Sequence, residues 1–123
     1  MAETQERMAF PLTFLLKKEG EHWASLACEL DVASCGDTAE EACEYLKEAV
    51  ELYVSSLLED GRASDIPRPV PQDALVEFAT DPPGEMRVEY HTLLVFPGTM
   101  PPTMEFVRSM VAPTSCDAVA LVR

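Results

Sequence analysis

The run Ser34-Cys35-Gly36-Asp37-Thr38-Ala39-Glu40-Glu41-Ala42 fixes where this chain changes from one kind of structure to another. Before it, apolar and polar residues alternate with the period of a strand. After it, apolar residues recur with the period of a helix for about six turns. Gly36 tolerates a left-handed or strained backbone that other residues resist. Thr38 is placed to accept from the N–H of Glu41, and Glu41 to reach back to the N–H of Thr38, the reciprocal pair that starts a helix. Asp37 and Glu40 put negative charge at the positive end of the helix dipole. Several independent local preferences therefore agree on a strand–turn–helix junction.

Upstream of the junction, Phe10, Leu12, Phe14 and Leu16 alternate with Pro11, Thr13, Leu15 and Lys17, which predicts a first strand. Gly20 suits a hairpin turn. Alternation resumes from His22 to Cys28, with Trp23, Ser25 and Ala27 on one face, and a third short strand is expected over Val32–Cys35. Downstream, a helix is expected from Ala39 to Glu59. Ala42, Leu46, Ala49, Val50, Tyr53, Leu57 and Leu58 form its apolar stripe, and Glu41, Glu44, Glu48 and Glu51 lie opposite. Gly61 fits the left-handed position that ends it.

Prolines at 67, 69 and 71 predict an extended linker over 62–73, followed by a brief strand or helical turn over Ala74–Ala79. Met86 to Phe96 alternates again and predicts a fourth strand. Beyond it the prolines at 101, 102 and 113 suggest an irregular extension, with a short helix over Thr103–Val111 and a last strand over Ala118–Val122. The expected class is α+β: a three-stranded antiparallel meander, one long amphipathic helix packed on it, a further strand and a Pro-rich C-terminal extension. The organisation read from this is a flexible tail over 1–9, a domain over 10–96 and an extension of unassigned role over 97–123.

At 123 residues the chain is long enough for one core without staples. Its net charge of -13 is uneven: residues 1–61 hold 14 acids against 4 bases, and 62–123 hold 8 against 5. Binding to nucleic acid or to anionic lipid needs basic surface, so neither is expected. A basic protein partner fits the charge better. No run of 18 apolar residues predicts a membrane span, and the polar, acidic first residues lack a signal-peptide pattern, so a cytoplasmic protein is expected. The four cysteines (Cys28, Cys35, Cys43, Cys116) have no ligand-type spacing and read as small apolar fillers rather than a metal site.

Catalytic sets are thin. A nuclease of ribonuclease H type needs carboxylates converging on metal ions, and the first strand carries none. His22 and His91 are the two histidines, and each reads as a structural residue unless the fold brings one beside Cys28, Cys35 or Cys43. The glycines are dispersed and form no phosphate loop. No enzyme activity and no cofactor are expected.

The order of these parts resembles the HicB-like antitoxin family. The carriers are Glu19-Gly20-Glu21-His22-Trp23-Ala24-Ser25, then Glu29 to Thr38, then Glu40-Glu41-Ala42, with Ala49, Leu52, Tyr53 and the exit Ile66-Pro67-Arg68-Pro69 downstream. The resemblance spans Phe10 to Phe96. It implies a partial ribonuclease H-like fold without nuclease activity, and a small basic HicA-type toxin, an mRNA endoribonuclease, as partner. Many family members also carry a C-terminal DNA-binding module. Here the stretch from Pro97 has only Arg108 and Arg123 as bases, so promoter binding is not expected. The proline usual near the start of the third strand is also absent, with Cys28 and Glu29 in its place.

The expected partner-binding residues are Trp23, Glu41, Glu44, Glu48 and Glu51, inferred from helix face and charge rather than carried over from the family. Free sheet edges suggest a homodimer or tetramer. One alternative is a stand-alone, self-associating module without a toxin. Another is a small enzyme or ligand-binding protein, which would need His91 or His22 to converge with a cysteine or two acids.

Overall fold

A computed structural model describes residues 7–81, 83–98 and 101–109. The strands are β1 (Met8–Glu19), β2 (His22–Ala27), β3 (Val32–Gly36), β4 (Met86–Phe96) and β5 (Thr103–Ser109). The helices are α1 (Ala39–Glu59) and α2 (Gln72–Thr80), with a 3₁₀ turn at Ala63–Asp65. The fold is α+β: one five-stranded antiparallel sheet of order β3-β2-β1-β4-β5 with the long helix on one face. Among the described residues, no helix is long and apolar enough to cross a membrane.

Alternation decides what each face of the sheet buries. Leu12, Phe14 and Leu16 of β1, Trp23 and Ala27 of β2, and Leu93 and Val95 of β4 meet Ala42, Cys43, Leu46, Val50 and Val54 of α1 in the main core. Leu15, Leu26 and Cys28 point the other way and pack with Val70 and Leu75, flanked by Phe78 and Met86. Lys17 is on this second face, wholly buried, and its ammonium donates to the Phe78 carbonyl at 2.8 Å.

The junction forms as a helix start, with two differences from expectation. Thr38 Oγ1 accepts from the Glu41 N–H at 3.0 Å, but the Glu41 carboxylate accepts from Asp37 N–H at 2.9 Å rather than from Thr38. Gly36 is not needed for a left-handed backbone. A Cβ there would stand 2.6 Å from Ala42 N and 2.8 Å from the Glu41 Cβ, so its role is close approach of strand end and helix. At the other end of α1, Gly61 has φ 69°. Its N–H reaches Leu58 O and the Arg62 N–H reaches Leu57 O, which closes the helix with paired carbonyls.

Two proline placements follow from which edge each residue faces. Thr13 N–H faces the β2 side of β1, and Pro11 has the same parity, where β2 no longer reaches; its missing N–H interrupts no ladder. The stretch expected as a linker docks instead of bridging space. Arg68 N–H donates to Glu29 O at 3.0 Å and Val70 N–H to Cys28 O at 2.9 Å. Pro67, Pro69 and Pro71 alternate with these donors, so the outward side of this short strip carries no N–H groups. Residues 72–80 then form α2, which resolves the strand-or-helix alternative for 74–79.

The C-terminal expectation needs correction. Thr103–Ser109 is a strand, not a helix, and pairs along β4 with Leu93 opposite Phe106 and Val95 opposite Met104. Met104 and Phe106 pack against the main core, and that packing overrides any local helical tendency in so short a segment. The sheet therefore continues past Phe96, and it starts at Met8, within the stretch expected as a tail. The strand expected over 118–122 lies outside the described residues.

Candidate functional site

Two polar regions stand out, one on the outer surface of α1 and one beneath it. On the outer surface Glu40, Glu41, Glu44 and Glu48 are exposed and Glu51 is half-buried. Spacings of three and four residues place Glu41, Glu44, Glu48 and Glu51 along one ridge. Lys47 offsets part of the charge through an exposed contact with Glu44 at 3.3 Å. Burial, then the neighbouring Glu48 and Glu44, push the Glu51 carboxyl above its usual range. The shift reflects first the partial burial of Glu51 and second the negative charge of its neighbours.

The ridge borders a notch. Glu48, Glu51, Leu52 and Ser55 of α1 and Pro101, Pro102 and Met104 at the start of β5 line a cavity of about 480 Å³. Leu52 is 73% exposed, unusual for a leucine on a helix whose other face is packed. Trp23 is not part of this surface. It is 7% exposed in the main core, with the Arg87 guanidinium 4.8 Å above its ring, and Arg87 in turn contacts Glu40 at 3.5 Å. Of the five residues expected to bind a partner, the structure groups the four glutamates and sets the tryptophan apart.

Beneath the helix, Cys43 of α1 meets Glu89 and His91 of β4. Glu89 and His91 are two apart on a strand, so they share the face toward α1. The Glu89 Oε1 atom receives the Cys43 thiol at 3.5 Å and lies 3.0 Å from His91 Nε2. Its other oxygen, Oε2, faces Arg108 of β5 at 3.7 Å. The His91 ring packs on Phe14 at 4.6 Å between centroids and edge-on to Phe106 at 6.4 Å. Lys47 sits over the Phe106 ring at 5.8 Å.

The protonation states follow from burial and charge. Burial, then Glu89, pushes the Cys43 thiol up to about 12, so it is not a ready nucleophile. Burial lowers His91 against the opposing bond to Glu89, with Lys47 and Arg108 adding to the decrease, so the ring is neutral at pH 7. Burial alone would raise Glu89, but the His91 hydrogen bond, Arg108 and the Cys43 thiol outweigh it, and the carboxyl lies below its usual range. An ionised carboxylate has no proton to give, so His91 carries its proton on Nε2 and leaves Nδ1 as a buried lone pair without a partner among the described residues.

The ligand-binding alternative called for a histidine beside a cysteine or two acids in a cleft; His91 does meet a cysteine, with one acid, but beneath a packed helix. Sequence reasoning named His91 and Cys43 separately and passed over Glu89. The available signal was Glu89-Tyr90-His91 within the expected fourth strand, whose alternation puts Glu89 and His91 on the same face as Leu93 and Val95. His22 stays apart, exposed at the hairpin 4.0 Å from Glu19. Cys28 is buried in the second core and Cys35 is exposed on β3.

Comparison with protein-family models, with curated proteins and with solved structures found no match.

Proposed function

We propose that this chain is a non-catalytic binding protein of HicB-like antitoxin type, which masks a small basic ribonuclease of HicA type by covering it with the outer surface of α1. The observation that carries this reading is the acidic ridge, Glu41, Glu44, Glu48 and Glu51, beside a notch whose other walls are Leu52, Pro101, Pro102 and Met104 with the single hydroxyl of Ser55. Such a notch suits a lysine or arginine, whose aliphatic stem lies along Leu52, Pro101 and Met104 while its charge meets Glu48 and Glu51. The sheet meander leading into one long helix supports the same reading, and a partial ribonuclease H-like arrangement is the finer form of it. Catalysis by Cys43 is disfavoured because its thiol is protonated and its histidine neighbour donates to Glu89 rather than to the sulfur.

The test is binding to a small basic ribonuclease of HicA type, measured at low and high salt with wild type and E44K/E48K/E51K. Glu41 is left in place because its carboxylate accepts from the Asp37 N–H at the helix start. Exposed charge pairs contribute about 0.2–1 kcal/mol each and turn repulsive on reversal, so affinity should fall by roughly 10- to 100-fold and lose most of its salt dependence. Unchanged affinity in a variant with wild-type circular dichroism removes this surface from the mechanism.

A second reading has its own observation. Val88 and Val107 are exposed on the sheet face opposite α1, and among the described residues β3 and β5 are the edge strands, each paired on one side. A stand-alone module that self-associates through this side is the alternative, and a stable oligomer that retains no basic partner favours it.

A further inference from the structure

We propose that Cys43 Sγ, Glu89 Oε1 and His91 Nε2 form a binding site for a divalent transition-metal ion of zinc type. The three atoms come from two elements that the fold locks together, and all lie within 4.8 Å of one another. Zinc bonds of about 2.3 Å to sulfur and 2.0–2.2 Å to nitrogen and oxygen, at tetrahedral angles, put ligand atoms about 3.4–3.6 Å apart. The observed separations of 3.5 Å for sulfur to oxygen and 3.0 Å for nitrogen to oxygen need adjustments of a few tenths of an ångström, and sulfur and nitrogen, within 4.8 Å of each other, need at most about 1.4 Å of closure. Thiolate, imidazole and carboxylate are together the ligand set of zinc and its neighbours rather than of calcium or magnesium.

The carboxylate geometry is the more telling detail. Both Cys43 and His91 converge on Oε1, while Oε2 is turned to Arg108. One oxygen is thus aimed into the cluster and the other is held from behind, as an outer partner holds a metal-ligating carboxylate. The Glu89 side chain keeps 18% exposure, which gives an ion a way in and leaves water for the fourth position.

Binding balances as follows. The thiol loses its proton to solvent as the sulfur–metal bond forms, and Glu89 coordinates as the carboxylate it already is. The His91 Nε2 lone pair is freed for the metal when the ring proton moves to Nδ1 through solvent exchange. That Nδ1 is buried and has no acceptor among the described residues, and Lys47 and Arg108 oppose a cation nearby. Both effects make the site weaker than one with an oriented histidine, where the outer partner alone is worth about 10- to 100-fold. The site does not depend on the partner-masking role of α1, since its ligands lie beneath the helix and the ridge lies outside it.

Titration of the full chain with cobalt(II) and with zinc tests the site. The expected result is one ion per chain, with the visible bands of tetrahedral cobalt and a sulfur-to-cobalt charge-transfer band in the near ultraviolet. Zinc should displace the cobalt. C43S should abolish the charge-transfer band, and E89Q and H91Q should each weaken binding at least 10-fold, while a C35S/C116S variant keeps it. Circular dichroism establishes that each variant folds. No binding, binding without a sulfur band, or a band that survives C43S would each overturn the proposal.

Discussion

Replacing Glu29 by alanine removes the partner of two donors at once. The Glu29 carboxylate accepts from the Thr13 N–H at 2.7 Å and from the Thr13 hydroxyl at 2.8 Å. It stands where β2 would have continued beside β1, because the chain leaves the sheet after Ala27. Thr13 is buried, so the truncation leaves a backbone N–H and a hydroxyl unpaired. At about 1–3 kcal/mol per unsatisfied buried donor, and with the hydroxyl able to turn elsewhere, the cost should be about 2–4 kcal/mol. An unfolding entropy of about 2.1 cal/mol/K per residue makes each kcal/mol worth about 4 °C in a chain of this length, so Tm should fall by roughly 8–16 °C. Glutamine is the counter-test. It keeps an acceptor for the N–H, its amide can donate to the hydroxyl, and it carries no charge. Burial pushes the Glu29 carboxyl above its usual value of 4.5 despite the Thr13 hydrogen bonds, so the native state favours the protonated form. The stability this group contributes is full below the unfolded value and is lost as pH rises through the raised folded value. Wild type should therefore lose stability relative to E29Q as pH rises from about 4 toward neutrality. Thermal unfolding by circular dichroism between pH 4 and 8 reads all three proteins. E29A within 2 °C of wild type, or E29Q as damaging as E29A, would refute the reasoning.

Three further outcomes are expected. Thr38→Ala removes the oxygen that accepts from the Glu41 N–H and should cost about 1 kcal/mol in urea unfolding, while Thr38→Ser should cost little. Gly36→Ala forces its methyl into the first turn of α1 and should cost about 1–3 kcal/mol; a Tm within 2 °C of wild type would show that the strand end yields freely. In a C116S background at pH 8, iodoacetamide should label exposed Cys35 well before Cys28 and Cys43. Those two thiols are buried and pushed up to about 12, and equal labelling rates by mass spectrometry would contradict both placements.

Where local and tertiary preferences agree, the fold was legible in the residues. The helix from Ala39 to Glu59 and the strand from Met86 to Phe96 match expectation at both ends, because caps, charge and periodicity coincide there. What local patterns could not give was docking. The 62–73 stretch reads as extended, and it is extended over its prolines, but only a partner strip at Cys28–Glu29 explains why donors and prolines alternate. Thr103–Ser109 has no decisive periodicity of its own and becomes a strand because β4 offers an open edge. The candidate sites divide the same way. Four glutamates at helical spacing announce their ridge, whereas Cys43 and Glu89 are far apart in the chain and meet through packing alone. Trp23 looked available because a lone strand tryptophan shows no partner in sequence, and its cover, Arg87, comes from another strand.

The central position of β1 has a consequence for how the chain is made. One edge of β1 pairs at once with β2 across the Glu19–His22 hairpin, but its other edge waits for β4, with Met8 opposite Val95. At roughly 5–20 residues per second, a ribosome leaves that edge open for about 4–15 seconds after the hairpin can form. Pro11 blunts only the side away from β4, so the waiting edge presents its full row of donors beside Leu12, Phe14 and Leu16. A nascent chain halted before Met86 is thus a strand template without a mate, and the interval before β4 emerges is when a chaperone, or a second nascent copy, has most to hold.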